Sequence, residues 1–224
     1  MNVPGTLLSA LSTDDREALM RLGGLRVFQP GEALINEGVR DTDTFVLLKG
    51  FCKVVSNTAT GRAVLLSVRV GGEVVGELSA MDDKPRSATV IACTRVVARE
   101  ISQRKFLGYL NERPSAAQAI RGAVVEELRR ATRFRACLSG GPVVSRLAFM
   151  LDYLAATYGR PCAEGVRIEV PFSQPELASL IGASEPSLHR ALTRMRQADI
   201  IYTRYRRVIV RDHPALRALA ETDG

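Results

Sequence analysis

The sequence predicts an α+β chain: an all-β roll in the first half, one long helix, and a last third of short helices ending in a hairpin. Three observations carry this reading. Short apolar runs alternate with glycines from Val27 to about Ile101, an apolar stripe at helical spacing runs from Ile120 to Leu138, and capped helix starts fall at Ser173 and Ser184. At 224 residues, 46% hydrophobic and 25% charged, the chain suits one large domain or two small ones, and its composition excludes disordered and collagen-like architectures.

Taken in order, a weakly amphipathic helix is expected over roughly Leu8–Arg21, with Asp14 and Asp15 suited to its positive N-terminal end. Short β-type runs follow at Phe45–Leu48, Cys52–Val55, Val64–Val68, Val74–Val75, Thr89–Ile91 and Val96–Ala98. Gly31, Gly38, Gly50, Gly61, Gly71 and Gly72 punctuate them, the spacing of an all-β barrel or roll. The period then switches. Pro114 suits a first helical turn, and Ile120, Val124, Leu128, Ala131, Phe134 and Leu138 recur at steps of three and four until Gly140-Gly141-Pro142 stops the helix. Such a stripe serves either as a seam between two chains or as a face packed on its own roll.

The last third restarts with an amphipathic helix over Val143–Tyr158 and a strand over Val166–Val170. Ser173 and Glu176 form a capping-box pattern ahead of a helix over Pro175–Ile181, which breaks at Gly182. Ser184 caps the next helix, about Glu185–Ala198, with Leu188, Ala191, Leu192 and Met195 on one face. This is a helix-turn-helix arrangement, and Ile200–Tyr202 with Val208–Val210 reads as a hairpin wing around Thr203–Arg207. The expected division is 1–112, 113–138 and 139–224.

The net charge of +7 is unevenly spread: positions 194–211 carry Arg194, Arg196, Arg204, Arg206, Arg207 and Arg211 against Asp199 alone, a local +5. That density points to a polyanion partner, with a solvated arginine-rich face as the alternative. No apolar run approaches the roughly 20 residues that span a bilayer, and Met1–Ala10 carries no basic leader with a long apolar stretch, so a cytoplasmic chain without membrane contact is expected. Cys52, Cys93, Cys137 and Cys162 lie at least 25 positions apart, which offers no close-spaced metal pair and predicts reduced thiols.

One stretch departs from ordinary strand-and-turn sequence: Gly71-Gly72-Glu73-Val74-Val75-Gly76-Glu77-Leu78-Ser79, followed by Arg86-Ser87-Ala88-Thr89-Val90. Gly76 permits close backbone approach to a ligand, Arg86 offers a planar cationic fork and Ser87 a hydroxyl for a phosphate, and Glu77 an acceptor for a sugar hydroxyl. Together they describe a pocket for a phosphorylated sugar. The alternative is a Glu77–Arg86 ion pair stapling a hairpin. Nothing assembles into a catalytic site: no metal-ligand cluster accompanies Glu77, and no serine–histidine or cysteine–histidine arrangement is evident, so an enzyme such as a nucleotide hydrolase is not expected.

Gly76-Glu77-Leu78 with Pro85-Arg86-Ser87-Ala88-Thr89 resembles the phosphate-binding cassette of cyclic-nucleotide-binding domains. The order of β-roll (jelly roll), long helix and winged helix-turn-helix resembles the catabolite-activator and fumarate-nitrate-reduction (CRP/FNR) family of bacterial transcription regulators over nearly the whole chain. Ser145-Arg146-Leu147-Ala148 and Leu177-Ala178-Ser179-Leu180-Ile181-Gly182-Ala183-Ser184 are similar to that family at the corresponding places.

The resemblance implies a homodimer joined through the long helix, binding double-stranded DNA and RNA polymerase, with cyclic AMP, or cyclic GMP, as effector and no tightly bound cofactor. Glu77 would take the ribose 2′-hydroxyl, Arg86 and Ser87 the cyclic phosphate, and the Gly76 backbone and Leu78 would belong to the same pocket. Of the family's hydroxyl pair near the purine, Thr132 is kept and Ala131 replaces the first. Iron–sulfur members carry clustered N-terminal cysteines, absent before Cys52; haem members need an axial ligand in the roll, whereas the only histidines are His189 and His213. The catabolite-activator recognition helix opens Arg-Glu with a further Arg five residues after the first; here Glu185, Pro186 and Arg190 stand there, which implies a different operator. Arg190 can fork onto guanine and Glu185 accept from cytosine. Ser184, Ser187 and His189 complete the DNA-facing set, with a solvated surface histidine the alternative for His189. Arg194, Arg204, Arg206 and Arg207 would meet phosphates. A family member that binds DNA without any nucleotide is the other reading, supported by Ala131.

Overall fold

The structure is a computed structural model that describes residues 5–58, 61 and 63–221. The parts of the expected amino-terminal stretch and domain limits that fall on residues 1–4 and 222–224 lie outside the described residues. The chain forms two compact units, one up to Arg129 and one from Arg130 onward.

The first unit holds α1 (Leu7–Ala10), α2 (Thr13–Arg21), β1 (Gly24–Phe28), β2 (Ala33–Ile35), β3 (Thr44–Lys49), β4 (Phe51–Asn57), β5 (Ala63–Val70), β6 (Val74–Val75), α3 (Glu77–Asp82), β7 (Thr89–Ala92), β8 (Val96–Ile101), α4 (Gln103–Glu112) and the first part of α5 (Pro114–Leu138). The strands make two antiparallel four-stranded sheets, ordered β1-β8-β3-β6 and β2-β7-β4-β5. Phe28, Phe45, Leu47, Val75, Val96 and Ala98 from the first sheet share one buried cluster with Ile35, Cys52, Val90 and Ala92 from the second, so the roll closes on a common apolar interior. Because successive strand side chains point to opposite faces, β3 serves two cores. Phe45 and Leu47 enter the roll, while Val46 joins Leu19, Ile101, Phe106 and Ile120 under the helices. Burial pushes the Cys52 thiol up to about 12, and among the described residues no disulfide joins the cysteines.

Every strand expected from the apolar runs is present in the roll, with ends shifted by a few residues, and β1 and β2 are added. The single helix expected over Leu8–Arg21 is instead α1 and α2, broken at Leu11 and Ser12. Leu11 adopts extended backbone, and the Ser12 hydroxyl accepts from the Asp15 N–H to restart the helix.

Helix α5 covers 25 residues and its stripe divides. Ile120 is buried among the first unit's helices, and Phe134 meets the rings of Phe149 and Tyr153 in the second unit. Leu128 and Val125 stand 67% and 47% exposed. Within the first unit the stripe is therefore buried at Ile120 and open at Leu128.

The second unit continues with α6 (Val143–Tyr158), β9 (Gly159–Cys162), β10 (Gly165–Ile168), α7 (Gln174–Leu180), α8 (Glu185–Gln197), β11 (Ile201–Arg204), β12 (Arg207–Val210) and α9 (His213–Glu221). Leu147, Met150, Leu151 and Leu154 of α6 are buried with Leu188 and Met195 of α8 and Leu216 of α9. The sheet runs β11-β12-β10-β9. Among the described residues no helix is long and apolar enough to cross a membrane.

Candidate functional site

In the roll, Gly76 sits at φ +86°, the cap before α3. A Cβ there would lie 2.6 Å from Arg86 Nη1 and 2.8 Å from Asp43 O, so only glycine fits the approach. Arg86 is 3% exposed. Its Nη1 donates to Gly76 O at 2.8 Å, its Nη2 to Asp43 O, and its Nε and Nη2 pair with the Asp41 carboxylate. The Glu77–Arg86 staple weighed from sequence is not formed: the acid on this guanidinium is Asp41. Glu77 is half-buried. Burial holds its carboxyl above the usual carboxylate range; the Arg69 and Arg86 guanidiniums oppose that rise and Glu127 adds to it. Arg69 bonds Glu127 at 2.7 Å, tying β5 to α5.

Gly76, Glu77 and Arg86 are thus brought together, while Leu78 and Ser87 beside them are exposed. Thr132 lies on the exposed part of α5 in the second unit. Sequence reasoning missed Asp41, Asp43, Arg69 and Glu127. Asp41-Thr42-Asp43 reads as turn composition, and a pairing across 45 residues leaves no local pattern.

In the second unit the capping box forms as expected, with the Ser173 N–H donating to Glu176 Oε2 at 2.7 Å and the Ser173 hydroxyl accepting from the Glu176 N–H. Gly182, at φ +59°, turns the chain into the Ser184 cap of α8. Leu188, Ala191, Leu192 and Met195 are buried, which leaves Glu185, His189, Arg190 and Arg194 on the exposed side. The Arg190 Nη2 donates to the Ser187 hydroxyl at 2.9 Å, holding the guanidinium beside the start of the helix. The wing is tighter than expected: β11 and β12 pair out to Arg204↔Arg207, and the turn is Tyr205-Arg206. Arg206 takes φ +54°. Tyr205, unremarked in the sequence, stands 88% exposed at the tip.

Arg204 donates to the Tyr202 hydroxyl at 2.7 Å and keeps its charge, and Arg211 is paired with Asp199, the acid already counted in the local +5. Between the wing, α7 and α8 lies a groove of about 590 Å³ lined by Ser173, Gln174, Arg196, Arg204, Arg206 and Arg207. A basic helix surface beside an arginine-lined groove and wing is a surface for the nucleic-acid backbone.

Comparison with known proteins joins the two halves. A cyclic nucleotide-binding domain model matches residues 25–113, and a Crp-like helix-turn-helix domain model matches residues 145–219. The chain belongs to the CRP/FNR family.

Two curated CRP/FNR relatives fit it at low identity. A CRP-like cAMP-activated global transcriptional regulator of Mycobacterium tuberculosis is 25% identical over 189 residues, 84% of each chain. The cAMP-activated global transcriptional regulator CRP of Salmonella typhimurium is 24% identical over 182 residues, 79% of this chain and 84% of the relative. A CRP-family transcriptional regulator of Thermus thermophilus superposes with a TM-score of 0.76 at 25% identity, covering 88% of this chain and 97% of that one. As a CRP/FNR member the chain is a transcription regulator with a cyclic nucleotide-binding domain and a helix-turn-helix domain, not an enzyme.

Proposed function

We propose that this regulator is a cytoplasmic homodimer, paired through the exposed part of α5, whose affinity for operator DNA is set by cyclic AMP bound in each roll. The division 1–112, 113–138 and 139–224 then separates sensing, pairing and DNA reading. The supporting observation is the guanidinium of Arg86, buried at the Gly76 turn beside Glu77. Arg86 and Ser87 take the cyclic phosphate, Glu77 the ribose hydroxyl, and the Gly76 backbone and Leu78 the wall, with Thr132 near the base. Ser184, Glu185, Ser187, His189 and Arg190 face base edges, and Arg194, Arg204, Arg206 and Arg207 face phosphates, with Tyr205 added at the wing tip. Two recognition helices spaced about 34 Å would read successive major grooves, and RNA polymerase is the downstream partner.

A ligand shifts such a dimer only through differential affinity: moving it from 1:99 to 99:1 takes about 10⁴-fold, or about 10²-fold for each of two identical sites. Titration calorimetry with cyclic AMP and cyclic GMP on the wild type and Arg86→Ala tests the reading. Heat with cyclic AMP that disappears in Arg86→Ala supports it; no heat with either nucleotide in the wild type overturns it. The second reading, DNA binding independent of nucleotide, is favoured by Asp41 already paired with Arg86 and by Ala131. It expects equal operator affinity with and without cyclic AMP.

A further inference from the structure

We propose that Asp41 occupies the anion seat of Arg86 in the ligand-free protein, so that a phosphate ligand binds by exchanging with this carboxylate, and Asp41 sets the affinity and charge selectivity of the pocket. The inference rests on the nucleotide reading above and adds a competitor internal to the chain.

The guanidinium is buried and its hydrogen-bond partners are two backbone carbonyls and one acid. The carbonyls of Gly76 and Asp43 are fixed by the backbone and leave with nothing. The Asp41 side chain is different: it is 50% exposed, so it has a route to water. Its segment is held to Arg86 by the main chain as well, with the Gly38 N–H donating to Arg86 O at 2.9 Å and the Arg86 N–H to Val39 O at 3.0 Å. The carboxylate can therefore swing out by side-chain rotation while Gly38 and Val39 stay paired.

The exchange replaces one negative charge with another. A cyclic phosphodiester carries a single charge, as Asp41 does, so the buried cation is never left unpaired, the state whose cost is largest. A neutral nucleoside could not displace the acid without leaving that charge uncompensated. Selectivity for an anion over a neutral sugar thus follows from the competitor itself. The net affinity is the phosphate's gain less the loss of a half-exposed ion pair.

The test is cyclic AMP binding to full-length wild type, Asp41→Asn and Asp41→Ser, with Asp14→Asn, an exposed acid on α2, as the control for long-range charge. Expected is about tenfold tighter binding in both Asp41 variants and no change in Asp14→Asn. Their ligand-free unfolding temperature falls, because Arg86 loses its acid, and saturating cyclic AMP raises it by more than in the wild type. Binding by the variants but not by the wild type overturns the exchange, and the nucleotide reading with it, since the carboxylate then never leaves Arg86. Wild-type binding that is unchanged or weakened in both Asp41 variants overturns this inference and leaves the nucleotide reading standing. No binding by any of the four proteins overturns both.

Discussion

At Gly76 the backbone conformation and the space around it impose the same choice. Its φ of +86° is a region that side chains rarely adopt, and the atoms a Cβ would meet are Arg86 Nη1 and the Asp43 carbonyl, the two groups that organise the anion seat. Gly76→Ala is therefore expected to cost about 2 kcal/mol or more of stability, read as a lower urea midpoint at unchanged slope. It should also displace the guanidinium and weaken cyclic AMP binding further than stability alone explains. An alanine variant with wild-type midpoint and affinity would show that the turn relaxes freely, and would remove the close approach from the argument. Gly76, Glu77 and Arg86 were legible in the sequence because the cassette is a local motif with a fixed offset. Asp41 was not, since its role comes from a fold that brings a loop acid onto an arginine 45 positions away.

At the scale of elements, legibility followed length and burial on one face. Helix α6 was readable to both ends, and α8 to within one residue of its end, because each combines a stop or cap with a one-sided apolar pattern. Helix α3, with six residues, is too short to display a period, and α4, unbroken in the structure, carries Gly108 mid-helix, which weakens a helical reading of its sequence. Strand β1 escaped because four of its five residues are exposed, so no alternation marks it. The joint between α2 and the α4–α5 corner was also invisible, yet it is well built. The Asp15 carboxylate accepts from Arg113 at 2.9 Å and from Ser115 at 2.7 Å, and the Tyr109 hydroxyl donates to Asp15 O at 2.9 Å. The hydrogen bond from Ser115, then those from Arg113 and Ser12, hold this carboxyl below its ordinary value of 3.8. A carboxyl depressed in the fold contributes stability that is present above its unfolded value and is lost as the pH falls through the folded one. Thermal unfolding of the wild type and Asp15→Asn should differ most near neutrality and converge below about pH 3.8. A difference that grows with acidity would reverse the sign and refute this account of the joint.

At the scale of the whole molecule, α5 leaves its apolar residues in the wrong solvent unless something covers them. Leu128 of the stripe and Val125 beside it are exposed apolar side chains, with Val124 half-buried, on a helix whose stripe residues Ile120 and Phe134 pack inside their own units. On the proposed pairing, a second copy of the same helix would cover this stripe with like against like, as a two-fold interface does. The consequence for DNA is larger than for folding. A monomer can engage one half-site, whereas a dimer makes the second contact intramolecular and gains about 10²–10⁴-fold without any new contact. Leu128→Glu should therefore sediment as a monomer and bind operator DNA at least about 100-fold more weakly. Its unfolding, in the unassociated state, should stay within about 0.5 kcal/mol of the wild type, since the substituted side chain faces solvent there. Leu25→Glu places the same charge at an apolar residue of β1 that is 61% exposed, and should remain dimeric with unchanged operator affinity. A Leu128→Glu protein that stays dimeric would move the interface off this stripe, and a wild type that sediments as a monomer would leave the recognition helix reading a single half-site.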